Sequence, residues 1–247
     1  MDPGPVSAIL IDAGGVLIFP APELMLPPLQ AAGISADVAA LERAHYRAMA
    51  AQDLPGRPSP ADGTWWREYL ASYVTACGVT GGRCGALAAE IVRASTGSTW
   101  THVGTGALEG LRALAARGLP IGVVSNSDGS VQSELCRLGI CYVPDGRPPP
   151  PEAAAAAEAA GVPVGVVVDS AVVGVAKPDP AIFRIALDAL GVPEGATVLH
   201  VGDSLRYDVA GALAAGVRPV HLDPYGCCPA PDGHWHVRTL AEVARLV

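Results

Sequence analysis

Lysine is almost missing from this chain: Lys177 is the only one among 16 basic residues in 247. The high alanine and arginine content points to a GC-rich coding bias, so the scarcity is not itself functional. It does exclude any mechanism that needs a second ammonium. A basic surface is missing too. The formal net charge of -8 excludes the broad cationic face of a general nucleic-acid binder. The residues are 50% hydrophobic, yet no apolar run reaches the roughly 18 residues that a membrane-spanning helix needs. No Cys-x-x-Cys pair occurs among Cys77, Cys84, Cys136, Cys141, Cys227 and Cys228. A chain of this size needs no disulfide staples, so they read as reduced thiols. No basic region precedes the first apolar run, which argues against a signal peptide. The expectation is a cytoplasmic protein with neither a nucleic-acid nor a membrane partner. There is no internal repeat.

What is present is organised around Ser7-Ala8-Ile9-Leu10-Ile11-Asp12-Ala13-Gly14-Gly15-Val16-Leu17. Ile9 to Ile11 are too few for a helix and end at an acid followed by small residues. This is the pattern of a buried central strand that delivers Asp12 to its carboxyl end, where open α/β sheets place their ligands. Gly14 and Gly15 permit a sharp turn and a close backbone approach. On these grounds Asp12 is a nucleophile, a metal ligand, both, or merely the cap of a turn.

After Phe19 the strand pattern stops until about Leu119. Residues 20–100 read as four helices, over 22–32, 36–52, 62–77 and 81–94, the first weakened by Pro27-Pro28. From Gly106 onward helices alternate with short apolar strands. Helices are predicted over 107–117, 130–138, 180–190 and 207–215. Strands are predicted over 121–124, 164–168, 197–201 and, last, 217–222. That alternation implies an α/β fold with a doubly wound parallel sheet. The core is then 1–19 and 101–247, and 20–100 is an inserted α-helical module. Residues 142–161, with a tetraproline and an alanine run, read as a surface excursion with one short helix.

Four strand ends or the loops beyond them carry polar groups: Asp12, Ser125-Asn126, Lys177-Pro178-Asp179-Pro180, and Gly202-Asp203-Ser204 with Asp208 just beyond. In a parallel sheet these ends converge on one edge. Acids beside a hydroxyl and a lone ammonium describe a Mg²⁺-assisted phosphoryl site. Asp12 and Asp203 can supply the oxygen donors that Mg²⁺ takes. Ser125 and Lys177 can hold the equatorial oxygens of a transferring phosphoryl group.

These motifs give the chain its resemblance. In order they are Asp12-Ala13-Gly14-Gly15-Val16-Leu17, Val123-Val124-Ser125-Asn126, Val173 through Phe183 around Lys177-Pro178-Asp179-Pro180, and Val201-Gly202-Asp203-Ser204 through Asp208, Gly211-Ala212 and Ala215-Gly216. Together they resemble the haloacid dehalogenase superfamily, in the subgroup with a helical cap after the first motif. The resemblance implies a Rossmann-like core and a hydrolase of a small phosphorylated metabolite. It implies that Asp12 attacks phosphorus to form an aspartyl-phosphate. Ser125 and Lys177 would bind the phosphoryl group, with Asn126 positioning nearby. Mg²⁺ would be held by Asp12, the Gly14 carbonyl and Asp203, with Asp208 in support.

One position departs from the family pattern. Two residues after the nucleophile, phosphatases of the family usually carry a second Asp that protonates the leaving oxygen, and this chain has Gly14. Metal binding there needs only a backbone carbonyl, but the lost acid-base assistance is worth about 10²–10⁴-fold in rate. The alternative is a member that binds a phosphometabolite or a partner without turnover. Metal-free dehalogenase chemistry comes third, because Gly202-Asp203-Ser204 keeps a metal-binding acid. A Schiff-base mechanism from the cap is excluded, since 20–100 contain no lysine.

Other candidates read as structural. Trp65, Trp66, Arg67, Glu68 and His45 suit packing and a solvated face, and Arg43, Arg47 and Arg57 suit a helix surface. Cys227, Cys228, His234 and His236 match no standard zinc spacing.

Overall fold

The computed structural model describes residues 4–57, 64–95, 99–144, 161–230 and 232–247. The chain divides into two compact units. One comprises Met1–Leu17, Val103–Pro224 and Asp232–Val247; the other comprises Ile18–His102 and Tyr225–Pro231.

The first unit is built on a six-stranded sheet. Its strands are β1 (Ala8–Ile11), β4 (Ile121–Ser125), β7 (Val166–Asp169), β8 (Val198–Gly202), β9 (Arg218–Leu222) and β10 (Trp235–Val237). Their order is β10-β9-β8-β1-β4-β7, and every pairing is parallel. β1 is therefore central, with Ile11 opposite Val123 on one side and Val201 on the other. All four β1 residues are buried, which explains a continuous apolar run instead of an alternating one. Helices α5 (Ala107–Ala115), α6 (Val131–Arg137), α7 (Ser170–Val173), α8 (Pro180–Ala189), α9 (Ala210–Ala214) and α10 (Leu240–Val243) connect or follow the strands. Leu10, Val124, Ile182, Phe183, Ala186 and Val198 share one core cluster. Each large side chain buried there contributes about 1.5–3 kcal/mol.

The second unit holds α1 (Pro22–Ala31), α2 (Val38–Gln52), α3 (Trp65–Ala76) and α4 (Arg83–Ala94). It also holds a two-stranded ribbon of β2 (Ile18–Pro20) and β3 (Trp100–Val103). Its interior is aromatic: Trp65 and Trp66 each lie 5.3 Å from Tyr69 in stacked geometry.

Several sequence expectations need correction. The stretch between Phe19 and Leu119 is not free of strand, because β2 and β3 pair across it. Each offers only three or four residues, too few for a period to show. β9 is not the last strand either. β10 follows it, hidden in sequence because Trp235-His236-Val237 is short and preceded by polar residues. Helix α1 continues through Pro27 and Pro28. Full burial of Met25 and Leu29 outweighs the two hydrogen bonds those prolines cannot donate. The helix expected over 207–215 opens as a π-helical turn, Leu205–Val209, before α9. The strand expected over 164–168 lies at Val166–Asp169, and the excursion before it is bracketed by a parallel pair, β5 (Cys141–Tyr142) and β6 (Val162–Pro163). The tetraproline, the alanine run, the expected helix start at Asp62 and the module edge at Ser98 lie outside the described residues.

Candidate active site

Asp12 leaves the end of β1 and turns through Gly15, whose φ of 70° belongs to the left-handed region that glycine tolerates. Gly14 does not adopt that conformation, so its backbone would accept a side chain. The Ala13 amide donates to Asp12 Oδ1 at 2.7 Å. From the far side of the sheet edge, Lys177 Nζ reaches Asp12 Oδ2 at 2.8 Å and Asp208 Oδ1 at 2.7 Å. The only lysine of the chain thus bridges two carboxylates and is itself 3% exposed.

Lys177 is held through its backbone. Asn126 donates from Nδ2 to the Lys177 carbonyl at 3.0 Å and accepts from the Lys177 amide at 2.7 Å. Asn126 therefore positions the lysine loop. The loop that carries Asn126 is tied down by Asp169, at the end of β7, which accepts from the amides of Gly129, Val131 and Ala171 at 3.0–3.3 Å. Ser125 ends β4, the strand beside β1, and is buried at 4% exposure.

Asp203 and Asp208 come from the turn after β8. Ser204 caps that turn by accepting from the Tyr207 amide at 3.1 Å, and its own amide donates to Asp208 Oδ2 at 3.1 Å. His200, within β8, donates from Nε2 to Asp208 Oδ1 at 2.8 Å. Burial holds the His200 imidazole below its ordinary value, against the pull of Asp208. It is thus a neutral donor beneath the site. Gly202 makes room for this arrangement: a Cβ there would lie 2.1 Å from Asp208 Cγ.

Carboxylate oxygens of Asp12, Asp203 and Asp208 lie within 4.8 Å of one another. When ionised, three carboxylates against one ammonium leave two negative charges, which a divalent cation offsets. Oxygen-only donors suit a hard ion such as Mg²⁺. Asp208 already serves Lys177, His200 and the Ser204 amide. Burial, opposed by Lys177 and reinforced by Asp208 and Asp203, pushes the Asp12 carboxyl up to about 7. Burial alone would also raise Asp208, but Lys177 and His200 hold it well below the usual carboxylate range. Burial would lower Lys177, but Asp12 and Asp208 keep it above its ordinary value and charged.

The structure therefore brings Asp12, Lys177, Asp203 and Asp208 together directly, joins Asn126 to them through Lys177, and puts Ser125 on the neighbouring strand end. His200, Asp169 and Ser204 were not singled out from the sequence. A histidine inside the apolar run Val198-Leu199-His200-Val201 was the one available signal. In the other unit, His45 Nδ1 is 2.8 Å from the Tyr69 hydroxyl, Arg57 pairs with Glu68 at 3.5 Å, and Arg43 lies over the Tyr225 ring.

A family model described as haloacid dehalogenase-like hydrolase matches residues 6–216, which contain every residue of this site. Haloacid dehalogenase-like hydrolase domain-containing protein 3 of Bos taurus is 32% identical over 179 residues, covering 69% of this chain and 62% of that protein. Phosphoglycolate phosphatase of Rhodospirillum rubrum is 39% identical over 127 residues, covering 51% and 43%. The chain spans less than two thirds of the length of these curated relatives. Among solved structures, a haloacid dehalogenase-type phosphatase from Thermococcus onnurineus superposes with a TM-score of 0.55 at 20% identity, covering 98% of this chain and 97% of that one. That likeness is one of fold.

Proposed function

The chain belongs to the haloacid dehalogenase-like hydrolases, and from that membership we propose that it is a Mg²⁺-dependent phosphatase of a small phosphorylated metabolite. The observation that carries the proposal is the Lys177 ammonium, 2.8 Å from Asp12 and 2.7 Å from Asp208 on a buried sheet edge. Phosphatase-named relatives support the substrate class.

In this reading an Asp12 carboxylate oxygen attacks phosphorus. The bond to the leaving oxygen breaks, and its electron pair departs with the leaving group. Water then hydrolyses the aspartyl-phosphate, releasing inorganic phosphate and restoring the carboxylate. Lys177 and the Ser125 hydroxyl hold the phosphoryl oxygens and offset their charge. Asp208 and Asn126 position Lys177. Asp12, Asp203 and the Gly14 carbonyl would hold Mg²⁺, which supplies charge neutralisation and polarises a phosphoryl oxygen. Residues 20–100 serve as the helical cap module that selects the substrate, and 1–19 with 101–247 as the core, in a cytoplasmic protein. With Gly14 in place of an acid, the reading favours substrates whose leaving group needs no proton, such as an acyl or aryl phosphate.

The test compares wild type, Asp12→Asn and Gly14→Asp on an acyl phosphate, an aryl phosphate and an alkyl phosphate, with Mg²⁺ and with a chelator. Turnover should require the metal and fall at least about 10³-fold in Asp12→Asn. Gly14→Asp should raise alkyl phosphate turnover by about 10²–10⁴-fold. Activity that survives Asp12→Asn or metal removal would sink the proposal. Gly14 itself favours a second reading, a phosphometabolite binder without turnover, and an inert wild type beside an active Gly14→Asp would select it. Halide release from a haloacid without metal would select dehalogenase chemistry instead.

A further inference from the structure

Beside the carboxylate site, on the β9–β10 edge of the sheet, we propose that His221, His234 and His236 form a second metal site that takes a zinc-class divalent cation. These histidines lie outside residues 6–216, the stretch matched by the family model. They lie on β9, on β10 and in the bend before β10.

The backbone brings them together. β10 pairs in parallel with β9, and the register sets His236 directly beside His221. Register partners in a parallel pair project to the same face. His234 precedes His236 by two residues, in the bend that leads into β10. The side chains agree with the backbone. His221 Nδ1 is 3.2 Å from His234 Nε2, and one ligating nitrogen from each of the three rings lies within 4.8 Å of the others. Two nitrogens on one tetrahedral zinc, each about 2.0–2.1 Å from it, are about 3.3 Å apart. The His221–His234 edge already has that separation.

The surroundings orient the rings as ligands. His221 Nε2 is 3.0 Å from the Asp203 carbonyl oxygen, and that oxygen only accepts. Nε2 therefore carries the proton, which leaves the Nδ1 lone pair facing His234. The His234 ring hydrogen-bonds the backbone of Asp232. His236 Nδ1 lies 3.8 Å from Asp223 Oδ2. His221 and His234 thus have a hydrogen-bonded oxygen behind them, the outer partner that metal-ligating histidines use to set tautomer and orientation, and His236 has a carboxylate within ion-pair reach. A plain His–His hydrogen bond would account for two rings, but not for a third in register with a carboxylate behind it. Three imidazoles are borderline-soft donors, which suit zinc over Mg²⁺ and set this site apart from the oxygen-lined one. Cys227 and Cys228, six or more residues from these histidines in sequence, belong to the Tyr225–Pro231 segment of the other unit.

The experiment uses the untagged full-length protein, stripped with a chelator and titrated with Zn²⁺ against a chelating dye, with Co²⁺ substitution read by visible absorption. Variants are His234→Ala, His236→Ala, Asp223→Asn and, as the control for the carboxylate site, Asp12→Asn. Wild type should bind one tight zinc equivalent and give the intense cobalt bands of a four-coordinate site. His234→Ala and His236→Ala should each weaken it at least about 100-fold, and Asp223→Asn about 10–100-fold. Asp12→Asn should leave it unchanged. No tight zinc in wild type, or tight zinc lost in Asp12→Asn but kept in the histidine variants, would overturn the proposal. If a histidine variant fails to fold, Asp223→Asn and the cobalt spectrum of wild type still decide it. None of these readouts depends on phosphatase activity.

Discussion

At Asp12 two forces oppose each other, burial against the neighbouring ammonium, and burial prevails. The consequence is a pH dependence of folding with an unusual sign. The folded carboxyl titrates at about 7, above its ordinary 3.8, so between those values the folded chain keeps a proton that the unfolded chain has lost. Through this group alone the metal-free protein loses stability as pH rises from about 4 through 7, while His200 and Asp208, both held below their ordinary values, pull the other way. Asp12→Asn removes this group's share of the slope, so the stability of the variant relative to wild type should rise between pH 5 and pH 8. Denaturant titrations of wild type and Asp12→Asn with a chelator at pH 5 and pH 8 check this, and a difference between the two that does not change with pH would contradict it. At this scale the sequence was informative where chemistry and backbone coincide: Asp12, Lys177, Asp203 and Asp208 each sit at or just beyond a strand end. His200 was not legible, because nothing local distinguishes a buried hydrogen-bond donor from a misplaced polar residue. Asn126 was legible as a site residue, but its clasp on the Lys177 backbone was not.

The turn after β8 shows how one element's geometry serves another's chemistry. Gly202 lies where a Cβ would be 2.1 Å from Asp208 Cγ and 2.4 Å from its Cβ, so the strand end admits the π-helical turn only without a side chain. Gly202→Ala should displace Asp208 from Lys177 and His200. It should cost about 2–4 kcal/mol of stability and lower the kcat of the proposed phosphatase reaction at least about 10²-fold. Urea denaturation and steady-state kinetics measure both, and a fully active, equally stable variant would contradict the packing argument. The same region explains why elements were unevenly legible. Buried strands announced themselves as short continuous apolar runs, and amphipathic helices by their period. The π-helical turn did not, because its extra residue is accommodated by Ser204 and by Asp208's partners instead of by any local pattern. β10 did not either, since a three-residue edge strand has no period to read.

For the whole molecule, the parallel order of the sheet was readable because each strand–helix alternation carries the same handedness constraint. The small ribbon of β2 and β3 was not, since its two strands lie about eighty residues apart and pairing over that distance leaves no local trace. A separate consequence follows from the lysine count. The ε-amine at position 177 is the only one in the chain, and it is buried and ion-paired. An acylating reagent should therefore find no reactive lysine on the folded protein, and modification at position 177 becomes a clock for opening. Mass spectrometry of peptides from arginine-specific digests should show acylation at Lys177 rising in step with denaturant unfolding. Measured at low denaturant, the same rate would report how often the sheet edge exposes its ammonium to solvent, which makes the residue that anchors the chemistry an intrinsic probe of native-state breathing.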